Sequence, residues 1–177
     1  SKIAAGKMEL EDIDINLENL CLECASVFFV TAERKRLQFL VEIDSNLPAQ
    51  IQGDPTRLRQ ILLNLLGNAF KFTQSGSIIL RVRETEPKVA GEYTLHFEVR
   101  DTGIGIRESD ISRLAKPFVQ VENQFTKTHK GSGLGLAIAQ SLVKMHGGTM
   151  EIRSSVGKGT TVTVTLPVEA RMASKAA

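Results

Sequence analysis

Apolar positions along the chain change period several times, and each change marks an element. Asp12-Ile13-Asp14-Ile15 alternates strictly, as a strand with one buried face does. Asn16 then stands where a cap belongs, and the spacing predicts a helix running to about Arg36. Leu37 to Ile43 alternates again, Leu47-Pro48 breaks the run, and Gln50 to Gly53 is a short extended piece. Asp54-Pro55 opens a second long helix, since Asp is a good N-cap and Pro suits the first helical position. Leu58, Ile61, Leu62, Leu65, Leu66, Ala69 and Phe72 carry it to Phe72, and Thr73 to Gly76 turns the chain.

Ser77 to Glu84 and Tyr93 to Arg100 alternate and predict an antiparallel pair. Asp101 to Ile106 is punctuated by glycine, and a short helix follows to about Leu114. Val119 to Gly131 is polar and aperiodic, which predicts a flexible loop. Gly133 begins a helix of Leu, Ala and Ile that His146-Gly147-Gly148 ends. Thr149 to Ser154 and Thr160 to Leu166 predict a closing hairpin around Gly157-Lys158-Gly159, and from Val168 on the chain reads as a disordered tail.

Helices and strands in mixed order with several hairpins predict the α+β class. The expected architecture is a two-layer α/β sandwich, a mixed and mostly antiparallel sheet with helices on one face. Residues 11–168 would form one domain, 1–10 the end of a helix begun elsewhere, and 169–177 the tail.

Composition narrows the function classes. The 177 residues are 42% hydrophobic and 24% charged, an ordinary soluble balance. A net charge of +2, with basic residues scattered apart from Arg34-Lys35-Arg36, argues against a nucleic-acid surface. Aromatic content of 5% with no Trp leaves no stacking platform for single strands. Cys21 and Cys24 have no second Cys or His pair to complete a zinc site, and read as reduced cysteines on a packed helix. No apolar run approaches the ~20 residues of a membrane helix, so no direct membrane contact is expected.

Three segments carry chemistry. In the second long helix Arg57, Gln60, Asn64, Asn68 and Lys71 recur at spacings of three and four and share one stripe. Arg57 and Gln60 suit a solvated face. Two mid-helix asparagines one turn apart need a further reason, because Asn is a poor helix former. Their amide oxygens suit Mg²⁺, and Lys71 suits phosphate. Asp101-Thr102-Gly103-Ile104-Gly105-Ile106 follows a strand, and a carboxylate there among apolar neighbours can accept an adenine amine. Gly131-Ser132-Gly133-Leu134-Gly135-Leu136 opens a helix, where free N–H groups bind phosphate. A polar loop precedes it instead of a strand and no Gly-Lys-Ser/Thr follows, which excludes dinucleotide-binding and P-loop readings.

Together these segments resemble the ATP-binding catalytic domain of sensor histidine kinases, within the superfamily shared with gyrase, heat-shock chaperones and mismatch-repair ATPases (the Bergerat-type fold). Asp54 to Thr73 resembles the Asn-bearing helix, 101–106 the first glycine box, 131–136 the second, and Gly157 to Pro167 the closing strand. Ser1 to Leu10 resembles the end of the dimerisation helix of hybrid kinases.

The resemblance implies ATP and Mg²⁺ as ligands, with Asn68 and Asn64 on the metal and Lys71 on phosphate. Asp101 would take the adenine amine beside Thr160, and Gly103, Gly105 and Ile106 would shape the base pocket. Gly131, Ser132, Gly133, Leu134, Gly135 and Leu136 would cradle the phosphates. Residues 119–130 would be a lid whose Lys127 and Lys130 reach the γ-phosphate. Asn64, Lys71 and Lys130 are the catalytic candidates.

Hydrolysing members of the superfamily carry a glutamate where Asn64 stands, so intrinsic ATPase activity should be negligible. Leu114-Ala115-Lys116-Pro117-Phe118 departs from the family's Phe-x-Pro-Phe box at Ala115. None of His96, His129 and His146 lies in a phosphoacceptor context. The expected partners are therefore a separate dimerisation domain bearing that histidine and, indirectly, a response-regulator receiver. This chain would be a monomer in the cytoplasm, and its parent a homodimer, with anchoring in the inner membrane an open option. A non-catalytic regulatory module and an anti-sigma-type serine kinase are the competing readings.

Overall fold

The computed structural model describes residues 9–85, 89, 91–114 and 135–170. Among the described residues four helices follow from local signals. Asn16 caps α1 (Leu17–Lys35) by accepting the Asn19 N–H at 3.0 Å. The helix closes where Arg36 turns left-handed at φ 54 and its N–H reaches the carbonyls of Ala32 and Glu33. Asp54 caps α2 (Pro55–Phe72) through the Arg57 N–H at 3.1 Å, and its second oxygen accepts the Glu11 N–H at 3.0 Å. The others are α3 (Glu108–Leu114) and α4 (Gly135–Met145). Among the described residues no helix is long and apolar enough to cross a membrane.

Among the described residues seven strands form one sheet: β1 (Ile13–Asn16), β2 (Gln38–Ile43), β3 (Gln50–Gly53), β4 (Ser77–Thr85), β5 (Glu92–Asp101), β6 (Thr149–Ser155) and β7 (Gly159–Glu169). Their order is β1-β3-β7-β5-β4-β2, with β6 also paired to β7. Among the described residues only β2 and β4 run parallel; the other pairings there are antiparallel. The expected two-layer, mostly antiparallel α+β architecture is the observed one.

Alternation puts Ile78, Leu80, Val82, Leu95, Phe97, Val99, Val162, Val164 and Leu166 on one face, where all are buried. Against them lies the apolar side of α2, with Ile61, Leu62, Leu65 and Leu66 at 2% exposure or less. Phe70 stacks on Phe28 and meets Phe39 edge-on, both at 5.0 Å between ring centres, which ties α2 to α1 and β2. Cys21 and Cys24 are free and buried. Burial, the largest cause, pushes their thiols up to about 12 and about 11. The open face of the sheet is polar: Arg81 pairs with Glu42 at 2.7 Å and Glu98 at 3.6 Å, and Arg83 with Glu98 at 3.4 Å.

Two boundaries differ from the sequence reading. β7 runs on to Glu169, which pairs with Glu92 and Gln52, so Val168 and Glu169 belong to the sheet and not to a tail. The proline at 167 does not stop the strand, because its residue partners Thr94 in the β5 ladder. At the other end Glu9 and Leu10 are not helical; residues 1–8 and 171–177 lie outside the described residues.

Candidate functional site

Two segments singled out in the sequence meet at the C-terminal end of α2. The loop after β5 packs on it so closely that a Cβ on Gly103 would lie 2.3 Å from the Phe72 carbonyl oxygen and 2.8 Å from Thr73 Oγ1. Ile104 N–H donates to that same carbonyl at 3.2 Å. Gly105 has φ 74, and a Cβ there would sit 2.1 Å from the Ser155 carbonyl. Both glycines let backbone approach backbone, and the Gly157 N–H closes the hairpin onto the Ile104 carbonyl at 2.8 Å.

Asp101 ends β5 at 8% exposure. Its Oδ1 accepts the Gly103 N–H at 2.9 Å and the Thr160 N–H at 3.2 Å. Neither bond engages Oδ2. Burial raises the pKa of this carboxyl above the usual aspartate value, and the two N–H bonds oppose that rise. A buried carboxylate with one oxygen saturated and the other not taken up by these donors suits a single external donor.

Behind it lies a hydroxyl hub that sequence reasoning missed. Ser154 Oγ accepts the Ile106 N–H at 2.7 Å and donates to the Gly159 carbonyl at 2.9 Å. Its one proton is thereby used, so Thr160 Oγ1, 2.8 Å away, is the donor of that contact. The signal was present in the hairpin: counting back from the Gly157 turn places Ser154 directly opposite Thr160.

The α2 stripe stands beside this loop. Arg57, Gln60, Asn64, Asn68 and Lys71 are all half-buried. Asn64 Nδ2 is buried with no hydrogen-bond partner. Lys71 Nζ lies 5.2 Å from the Phe72 ring centre, and burial lowers its pKa. A Cβ on Gly135 would come within 3.8 Å of the Asn68 amide, so the start of α4 faces Asn68.

Of the two residues expected on a solvated face, Gln60 is half-buried and Arg57 has part of its guanidinium buried. Arg57 Nη1 donates to Gln60 Oε1 at 3.3 Å, while Nε is buried without a partner. Leu136 places its side chain in the core, leaving only its backbone for the phosphate cradle. Ala115, Pro117, Phe118, Lys127, His129, Lys130, Gly131, Ser132, Gly133 and Leu134 lie outside the described residues.

Two histidines have local partners. His146 Nδ1 lies 2.7 Å from the Leu142 carbonyl, the helix-end contact expected of it. His96 Nδ1 meets Thr165 Oγ1 at 3.2 Å.

Among the described residues no group of three His, Cys, Asp or Glu could hold a metal. The Asn64 and Asn68 amides remain as hard oxygen donors. Two such donors fit Mg²⁺, which keeps most of its ligands as water and phosphate oxygen.

The family model described as Histidine kinase-, DNA gyrase B-, and HSP90-like ATPase matches residues 53–170. The chain is 45% identical over 169 residues to the Non-motile and phage-resistance protein of Caulobacter vibrioides, covering 95% of this chain and 20% of that protein. It is 36% identical over 167 residues to Hybrid signal transduction histidine kinase B of Dictyostelium discoideum, covering 94% of this chain and 8% of that one. Full-length ShkA, solved in complex with AMPPNP, superposes with a TM-score of 0.83 at 31% identity, covering 97% of this chain and 34% of that one. The chain thus spans a fifth or less of the length of these two curated relatives.

Proposed function

Because the chain belongs to the histidine kinase-, DNA gyrase B- and HSP90-like ATPase family, we propose that it is the ATP-binding catalytic domain of a two-component histidine kinase. It donates the γ-phosphoryl group to a histidine on a separate dimerisation domain. The observation that carries this reading is Asp101, a buried carboxylate whose Oδ1 is held by two N–H groups beside Gly103 and Gly105, where a Cβ would clash with neighbouring backbone.

In this reading Asp101 accepts the adenine 6-amine, and Thr160, held by Ser154, stands next to it. Gly103, Gly105 and Ile106 shape the base pocket. Asn68 and Asn64 present amide oxygens to Mg²⁺, which when bound neutralises phosphate charge. Lys71 supplies positive charge along the same stripe. Lys127, Lys130 and the backbone of residues 131–136 complete the phosphate site. Catalysis of this kind is mostly positioning and charge stabilisation.

Asn64 carries no basic group, so water at the γ-phosphate is not deprotonated and the phosphoryl group is kept for the protein acceptor. The acceptor histidine belongs to the dimerisation domain, and a receiver domain takes the group afterwards.

The test mixes the chain with the helical phosphoacceptor domain of its parent and γ-labelled ATP. Acid-labile, base-stable label on the helical domain is expected. An acid-stable product would point to a serine kinase. Nucleotide binding without any transfer would favour the regulatory module that Ala115 keeps in view.

A further inference from the structure

Two donors on the α2 stripe have nothing to donate to. Arg57 Nε and Asn64 Nδ2 are each buried without a hydrogen-bond partner. Such an orphan is unfavourable, the more so when the group is charged. Arg57 also occupies the first turn of α2, where the helix dipole disfavours a cation. Its bond to Gln60 Oε1 holds the guanidinium over the stripe and does not neutralise it. Gln60 lies between Arg57 and Asn64, which are two turns apart, about 10 Å along the axis.

Both orphans are donors, so what completes them is an acceptor oxygen, and the positive charge of Arg57 selects an anionic one. On the reading above, the same stripe already meets the phosphates through Asn68 and Lys71. Arg57 and Asn64 continue that line toward the helix N-terminus, away from the adenine end at Asp101. The anion next in line is the terminal phosphoryl group. Guanidinium is also the side-chain group best matched to phosphate oxygens, through paired N–H bonds.

We propose that Arg57, together with the Asn64 amide N–H, binds the γ-phosphoryl group, so that the first half of α2 distinguishes ATP from ADP. The inference rests on the nucleotide-binding reading above.

It is tested by calorimetry with Mg-ATP and Mg-ADP on the wild type, Arg57→Met and Arg57→Lys. Arg57→Met should lose tenfold or more in ATP affinity while ADP affinity stays within twofold, and Arg57→Lys should fall between. On the wild-type protein, the Arg57 Nε–H resonance should move with ATP and not with ADP, a readout that survives if a variant misfolds. Equal losses for both nucleotides, no loss for either, or a resonance that does not discriminate would overturn the proposal. Wild type that binds neither nucleotide would sink the underlying reading as well, whereas retained ADP binding leaves that reading standing.

Discussion

Replacing Asp101 by Asn changes one oxygen and one charge. The acceptor at Oδ1 can persist, so the bonds from the Gly103 and Thr160 N–H groups survive. Oδ2 becomes an NH2 group, which on the proposed role would be a donor facing the adenine amine, itself a donor. A charge-assisted hydrogen bond is lost, about 1.5–3 kcal/mol, and two donors are left opposed. Together these amount to a fall of roughly 10- to 100-fold or more in ATP affinity, at about 1.4 kcal/mol per decade. ITP, which carries a carbonyl in place of the 6-amine, should lose far less, so the ATP-to-ITP preference collapses.

Stability should move the other way. Burial raises the folded-state pKa of Asp101, so the folded chain holds this proton more tightly than the unfolded chain. Wild-type stability therefore falls as pH rises from the unfolded value, about 3.9, through the raised folded value. The Asp101→Asn variant is free of that loss, so its stability relative to wild type should grow across this window and then level off. ATP binding by the wild type, which needs the ionised form, should weaken on acidification through the same window. Calorimetry with both nucleotides and denaturant titrations at several pH values read these quantities. ATP affinity within twofold of wild type would refute the role given to Oδ2.

Ser154→Ala should cost about 1–3 kcal/mol and weaken ATP binding several-fold, because the Ile106 N–H and the Gly159 carbonyl lose their shared partner; chemical denaturation and calorimetry measure both. Gly103→Ala should destabilise by about 3 kcal/mol or more, since its Cβ would fall 2.3 Å from the Phe72 carbonyl oxygen; an unchanged melting curve would contradict that packing. Arg36→Gly should stabilise by about 1 kcal/mol, because an exposed L-residue sits at φ 54 there; the melting temperature would rise by about 2–4 °C. With thiols pushed up to about 12 and about 11, Cys21 and Cys24 should resist thiol reagents at pH 8 until the chain unfolds; fast labelling of the native protein would refute their burial.

Local chemistry made much of this fold legible. Asn16 and Asp54 announce their helices because caps act within three residues, and both make the N–H contact expected of them. The hairpins at β4–β5 and β6–β7 follow from alternation and turn residues alone. The parallel pairing of β2 with β4 did not show, because two strands separated by β3 and α2 share no local signal. Arg36 reads as helical in the sequence because nothing in its side chain marks a left-handed position.

At the site, Asn64, Asn68 and Asp101 stood out because each is unusual for its place. Ser154 did not, since an isolated serine in a strand looks solvated until its register against Thr160 is known. Arg57 misled for a related reason: a stripe of polar residues on a helix looks solvated, and only the packed structure shows that its Nε is shut away from water.

The claim on which the rest depends is that this chain binds Mg-ATP on the α2 stripe beside Asp101. Titration of the wild type and Asn68→Ala with ATP, with and without Mg²⁺, tests it most directly. Mg²⁺-dependent binding by the wild type is expected, and Asn68→Ala should lose it while keeping its fold. No binding by the wild type at millimolar ATP, or binding indifferent to both Mg²⁺ and Asn68, would contradict it.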